Sequence, residues 1–195
     1  GAAFRALSDA MNTTNMVKGL DQLGATSGQA LGTLSKGLVK ATDGALSMRQ
    51  AMQSVAQATS SGMSSKNIMR MGEVAKKASQ ALGIDMADSM SRITRAATKL
   101  EPELVDELGL FTKTGKAADD YAKSIGKTTS QLTDFERRMA YSNALLAEGE
   151  KKFGAIEIDT NPYTKLVASV KDLAQSGLEL LNKVLVPIVD YLSKS

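Results

Sequence analysis

The chain has 195 residues, 43% apolar but only 4% aromatic, with a net charge of +3 and no His, Cys or Trp. Its length suits one domain or slightly more, and a core drawn from Ala, Leu, Met and Val suits helix packed on helix. The missing His and Cys exclude disulfides, thiol nucleophiles, His-based proton transfer and most zinc and iron sites.

The sequence shows no starting Met, no secretory segment and no apolar run near the ~18 residues of a membrane helix, and it reads as a piece of a longer chain. Residues 1–100 carry 12 basic and 6 acidic side chains, and residues 101–195 carry 12 and 15. That mild polarity lacks the clustered Lys, Arg and aromatics of a nucleic-acid binder, so no sequence-specific nucleic-acid partner is expected.

Helical periodicity dominates. Leu31, Leu34, Leu38, Ala41, Ala45, Met48, Met52 and Val55 step by threes and fours, the spacing of a bundle seam. Gly28, Gly32, Gly37 and Gly44 interrupt it at about 1 kcal/mol each relative to Ala, so residues 1–59 read as an Ala/Gly/Met-rich helical segment weakly stable alone, broken at "TDG", 42–44.

Ser64 or Ser65 can cap the next helix, whose stripe is Ile68, Met71, Ala75, Ala78 and Leu82 and whose end is Gly83. Asp85 caps a helix with the stripe Met86, Met90, Ile93, Ala97 and Leu100. The stretch "TKLEPELVDELGLF", 98–111, carries four carboxylates. Pro102 fits a first helical turn, and Glu103, Asp106 and Glu107 lie near its positive end. Leu104, Val105 and Leu108 face inward, Gly109 ends the turn, and Leu110 and Phe111 are expected to continue into the core. An acid/base pair would need one desolvated carboxylate. Like charges at helix-surface spacing point to solvated surface instead.

Two stretches imitate a P-loop. "GLFTKTGKA", 109–117, has five residues between its glycines where the motif has four, and Ala117 in place of the magnesium-binding hydroxyl. "YAKSIGKTT", 121–129, has Tyr121 in place of the first glycine. Helical punctuation accounts for both. Gly126 ends a helix bearing Ala118, Tyr121, Ala122 and Ile125, and Thr128 with Gln131, or Thr133 with Glu136, makes a capping box. The following helix, about Thr133 to Glu148, is expected to turn Phe135, Met139, Leu145 and Leu146 inward and Arg137, Arg138 and Glu148 outward.

Residues 60–153 thus form a helical core, and 154–162, with Gly154, "AIEI" and Asn161-Pro162, form a connector. Residues 163–195 make a long amphipathic helix, about 45 Å from 163 to 192 if straight. Its seam is Tyr163, Leu166, Val170, Leu173, Gly177, Leu180 and Val184, broadened by Val167, Ala174, Leu181 and Ile188, and Pro187 is expected to kink it. The fold class expected is all-α. A stripe this wide calls for a partner, and Leu166, Val170, Leu173, Gly177, Leu180 and Val184 are the candidate interaction residues, with Gly177 allowing close backbone approach. No catalytic, cofactor-binding or metal-ligating residue emerges.

The run "LGIDMADSMSRITRAATKLEPELVDELGLFTKTGKAADDYAKSIGKTTSQLTDFERRMAYSNALLAEGEKKFG", followed by "NPYTKLVASVKDLAQSGLELLNKVLVPIVDYL", resembles the core region of the tail tape measure proteins of tailed bacteriophages. The likeness lies in an Ala-rich helix, an "L-x-x-E-x-x-L-x-x-L-G" turn, a "YA-x-x-x-G-K" helix, an "L-T-x-x-E-R" helix, a loop and a long amphipathic helix. Residues 60–195 follow that order, whereas 1–59 share only composition. The resemblance implies a structural protein of the virion, in the tail-tube lumen or at the tail tip, whose length sets tail length and which leaves before the DNA at infection. It also implies as partners further copies of itself, the tail tube, tail-tip or baseplate hub proteins and tail assembly chaperones, with possible host-membrane contact. Two alternatives compete. "LELLNKVLVPIVDYL" could make a membrane-active module, although Glu179, Lys183 and Asp190 oppose simple spanning, and a peptidoglycan hydrolase could use a Glu among Glu101, Glu103 and Glu107.

Overall fold

The computed structural model describes residues 14–20, 22 and 30–157. The expected connector beyond residue 157, the kinked helix 163–195 and its seam lie outside the described residues. Those described are all-α, with no strand among them. A helical stretch over 14–20 precedes α1 (Leu31–Ala41), α2 (Met48–Ser60), α3 (Ser65–Leu82) and α4 (Met86–Lys99). A 3-10 helix (Pro102–Leu108), α5 (Thr114–Ser124), a 3-10 turn (Thr129–Gln131) and α6 (Asp134–Phe153) complete the order.

Local chemistry sets most boundaries. Ser47, Ser64, Asp85 and Thr133 each accept a backbone N–H from the residue three further on, satisfying a donor that the first helical turn leaves free. Both anticipated capping boxes are present, Thr128 with Gln131 and Thr133 with Glu136, and Ser47 with Gln50 adds a third. Gly83, Gly109 and Gly126 end their elements at φ between 66° and 70°, where a Cβ would be strained. The break at 42–44 is a turn in which Asp43 has φ 52°, and Lys76 holds it by an ion pair at 2.7 Å while also donating to the Ala41 carbonyl. Gly32 and Gly37 do not break α1, which runs through both. The segment after Lys99 is a 3-10 helix with Pro102 in its first turn. Leu100, ahead of it, takes the left-handed cap position itself at φ 59°.

Helix α3 is the central element, in contact with α1, α2, α4 and α6. One buried cluster runs without interruption from Leu20 through Leu38, Val55, Ile68, Met90 and Leu108 to Phe153. It therefore takes in side chains from both sides of residue 59. Helix α4 folds back on α3, where the Ser89 hydroxyl donates to the Ala75 carbonyl at 2.9 Å, and Gln57 of α2 reaches Thr98 of α4 at 3.2 Å. Helices α3 and α6 run the same way. Asn67 donates to Asn143, Arg70 grips both oxygens of Glu150 at 2.6 and 2.8 Å, and Lys77 donates to the Gly154 carbonyl. The Arg70 hydrogen bonds hold the Glu150 carboxyl below its ordinary range. Helix α5 contacts α6, and a smaller buried cluster joins its Ala118 and Ala122 to Leu132, just ahead of α6, with Tyr121 against it.

Four large apolar side chains expected inside are largely exposed: Leu82, Phe111, Ile125 and Phe135. Leu82 ends α3 and Ile125 follows the last residue of α5, each beside a left-handed glycine, where the chain turns away. Leu110 is buried and its neighbour Phe111 exposed, in the irregular stretch between the 3-10 helix and α5. Phe135, in the first turn of α6, lies over the backbone of Gly62, where a Cβ would collide with the ring. Helix α6 runs past Glu148 to Phe153, and its Arg137, Arg138 and Glu148 are partly buried, not outward. Arg137 donates to the Thr129 carbonyl at 2.6 Å. Tyr141, absent from the expected stripe, is one of the largest fully buried side chains.

The glycines of this bundle differ in what a methyl group would meet. A Cβ on Gly149 would stand 2.5 Å from Val74 Cγ1, and Val74 in mid-helix has essentially one χ1 rotamer available. A Cβ on Gly37 would meet nothing closer than Met69 Sδ at 3.9 Å. Gly149→Ala is thus expected to destabilise the protein by about 1–3 kcal/mol. Gly37→Ala is expected to stabilise it by up to about 1 kcal/mol. Urea unfolding followed by circular dichroism checks both, and equal effects of the two substitutions would contradict the packing described.

Candidate functional site

The structure separates the carboxylates of the 101–107 run. Glu103, Asp106 and Glu107 are exposed and Glu101 is partly buried. Arg92 of α4 bridges Asp88 and Glu107, both at 2.8 Å, and Arg95 reaches Glu101 at 3.3 Å. These contacts tie the 3-10 helix to α4 along the surface. Among the described residues no group of three carboxylates is placed to hold a metal ion, and no helix is long and apolar enough to cross a membrane.

The P-loop look-alikes resolve into helix ends. Gly109 closes the 3-10 helix, Gly115 lies inside α5, and Lys116 pairs with Asp120 along the exposed side of that helix. In the second stretch Gly126 follows α5, Lys127 pairs with Glu136 at 2.6 Å, and Thr128 caps the 3-10 turn. The Lys127 hydrogen bond and the Thr133 N–H hold the Glu136 carboxyl below its ordinary range. Neither lysine overhangs a cradle of free backbone N–H groups after a strand, which a phosphate site of this kind requires. The seam residues Leu166, Val170, Leu173, Gly177, Leu180 and Val184 lie outside the described residues.

The structure does form a surface groove of about 430 Å³ at the first of these stretches, between the start of α5 and the second half of α6. Phe111 forms one wall, Ala117 and Ala144 are small apolar lining residues, and Lys113, Lys116, Asp120 and Glu148 supply charge. Phe111 is 64% exposed, the highest value among the large apolar side chains of the described residues. It is nonetheless held firmly from behind. One Glu148 oxygen accepts the Phe111 N–H at 2.9 Å, and the other accepts the Thr112 hydroxyl. Lys152, one turn further along α6, donates to the Gly109 carbonyl at 2.6 Å.

Helix α5 has no capping side chain of its own, since Lys113 occupies that position. Glu148 substitutes for one from the neighbouring helix: it accepts donors just upstream of α5 and brings a negative charge toward the positive helix end. Lys152 does the reverse at the end of the 3-10 helix. The buried Tyr141 hydroxyl of α6 meets no hydrogen-bond partner, and burial together with the carboxylates of Glu148, Asp106 and Glu103 pushes its pKa above the ordinary value.

The sequence reading assigned Glu148 to the outer surface. Its spacing carried a signal all the same, because Tyr141, Leu145 and Glu148 are four and three residues apart and so share one stripe of α6. A carboxylate at the edge of a buried stripe is a candidate for capping another element. No protein-family model and no solved structure matches this chain.

Glu148→Ala is expected to lower stability by about 1–3 kcal/mol, since two donors lose a charged acceptor. Tyr141→Phe should leave stability unchanged or raise it by up to about 1 kcal/mol, because the hydroxyl it removes is buried without a partner. Thermal unfolding of the two variants checks both, and a loss on Tyr141→Phe matching that on Glu148→Ala would contradict these assignments.

Proposed function

We propose that this chain is part of a tail tape measure protein of a tailed bacteriophage, a structural, non-enzymatic component of the virion that sets tail length. One observation supports the reading most. Over residues 82–154 the elements follow the order in the stretch that carries the resemblance: an Ala-rich helix, an acidic turn closed by a left-handed glycine, a short helix ending at Gly126, a capping box and a long helix. Small residues in the seams and short helices separated by glycines suit a chain that is threaded through a narrow tube and leaves it, because local openings of such a bundle cost less than those of a large-residue core.

The proposal extends to the amphipathic helix expected over 163–192, kinked at Pro187. Its seam, Leu166 to Val184, would pack against copies of the same segment or against tail-tip proteins, with assembly chaperones covering it beforehand. The paired surface carboxylates of 101–107 favour this over a hydrolase, whose acid needs a desolvated carboxyl.

The test is tail length in the virus that encodes the full protein. Duplicating residues 31–153 in frame should lengthen the tail by up to roughly 180 Å, the span of that stretch as one continuous helix. Tails of unchanged length would refute the ruler reading. In the same virus, the double substitution Leu173→Asp and Leu180→Asp should abolish tail assembly, and normal tails would remove the seam as the contact.

A further inference from the structure

The Phe111 side chain is 64% exposed at the edge of the groove, and its backbone is held in place from behind. Glu148 accepts the Phe111 backbone N–H and the Thr112 side-chain hydroxyl, and Lys152 donates to the Gly109 carbonyl. An exposed aromatic side chain on a held backbone, beside small residues, offers a seat for apolar side chains. With a volume of about 430 Å³ it admits side chains presented by a helix, not a whole helix.

The groove also lies beside the chain's exit. Glu148 and Lys152, which hold it, belong to the last turns of α6, and the described chain leaves at residues 154–157. From Glu148 to Phe153 the helix rises about 8 Å. The eight residues between Glu157 and Leu166 can span up to about 27 Å. Leu166 and the residues that follow are therefore within reach of the groove, even if the chain must double back. Leu82, a second large exposed apolar residue, ends α3 five residues beyond Lys77, whose ammonium binds the Gly154 carbonyl.

We infer that the groove formed by Phe111, Ala117 and Ala144 binds the C-terminal segment of the same chain, taking aliphatic side chains from the stripe Leu166, Val170 and Leu173. The short tether decides between occupants, since it presents the segment at a millimolar effective concentration that a second copy does not reach in dilute solution. In the free chain the stripe is then covered in cis, and packing it against other copies requires its release. This inference rests on the geometry of the groove and the exit, and holds whether or not the chain measures a tail.

The chain contains no cysteine, so paired cysteines report proximity without background. Lys113→Cys, at the groove edge, is combined in turn with Cys at stripe positions Leu166, Val170 and Leu173 and at the off-stripe positions Asp172 and Gln175, in the 195-residue chain at low micromolar concentration. Intrachain disulfides should form at least tenfold faster at one or more stripe positions than at either off-stripe position, and Phe111→Ser should slow them at least tenfold with the circular dichroism spectrum unchanged. Equal rates on and off the stripe, or rates indifferent to Phe111→Ser, overturn the inference. Predominant interchain disulfides also overturn it, in favour of a second copy as the occupant. Tail length in the virus is read separately, so failure here leaves the ruler reading untouched.

Discussion

The close approach of α3 to its neighbours governs the arrangement of this bundle. Val74 projects from α3 into the space left by Gly149 of α6, and Leu38 of α1 packs where Gly72 of α3 has no side chain, so that a methyl group on either glycine would collide. The two contacts bring α1 and α6 against different parts of one helix. Ala75 and Ala78 on α3, and Ala96 and Ala97 on α4, are fully buried and keep the remaining interfaces thin. A core with few aromatics reaches close packing this way, by shortening the distance between backbones instead of filling it with large side chains.

The polar contacts follow from that spacing. Once α3 and α6 lie together, Arg70 meets Glu150, Asn67 meets Asn143, and Lys77 reaches the Gly154 carbonyl. The ion pair is half exposed and contributes about 1 kcal/mol at most. Its importance is positional, because it holds one register between two helices whose apolar contacts are small and smooth. Lys76, Lys77 and Lys152 act alike, each placing an ammonium on a carbonyl at the end of another element. Glu148 holds the Phe111 backbone in the same way, through its N–H.

The sequence made much of this legible, and its failures have a common cause. Caps are local, so Ser64, Asp85 and Thr133 as starts, and Gly83, Gly109 and Gly126 as stops, could be read from a few neighbouring residues. Stripes of three- and four-residue spacing located Ile68, Met71, Met90 and Ile93 in the core for the same reason. The exposure of Leu82, Phe111 and Phe135 depends on where neighbouring elements stop, and periodicity carries no information about that. The groove was illegible as a site because it needs Phe111 and Glu148, 37 residues apart, to meet. Glycine was ambiguous for a similar reason: Gly37 and Gly149 look alike in sequence, yet the first is a cost to α1 and the second a condition of packing.

A double-mutant cycle on Val74 and Gly149 tests this account most directly. If the Val74 side chain occupies the space that Gly149 leaves, Val74→Ala makes room for the methyl group of Gly149→Ala, and the double variant is more stable than the sum of the single losses predicts, by about 1 kcal/mol or more. Strictly additive losses would mean that the two side chains do not meet, and the close approach of α3 and α6 would not be the constraint that orders the bundle.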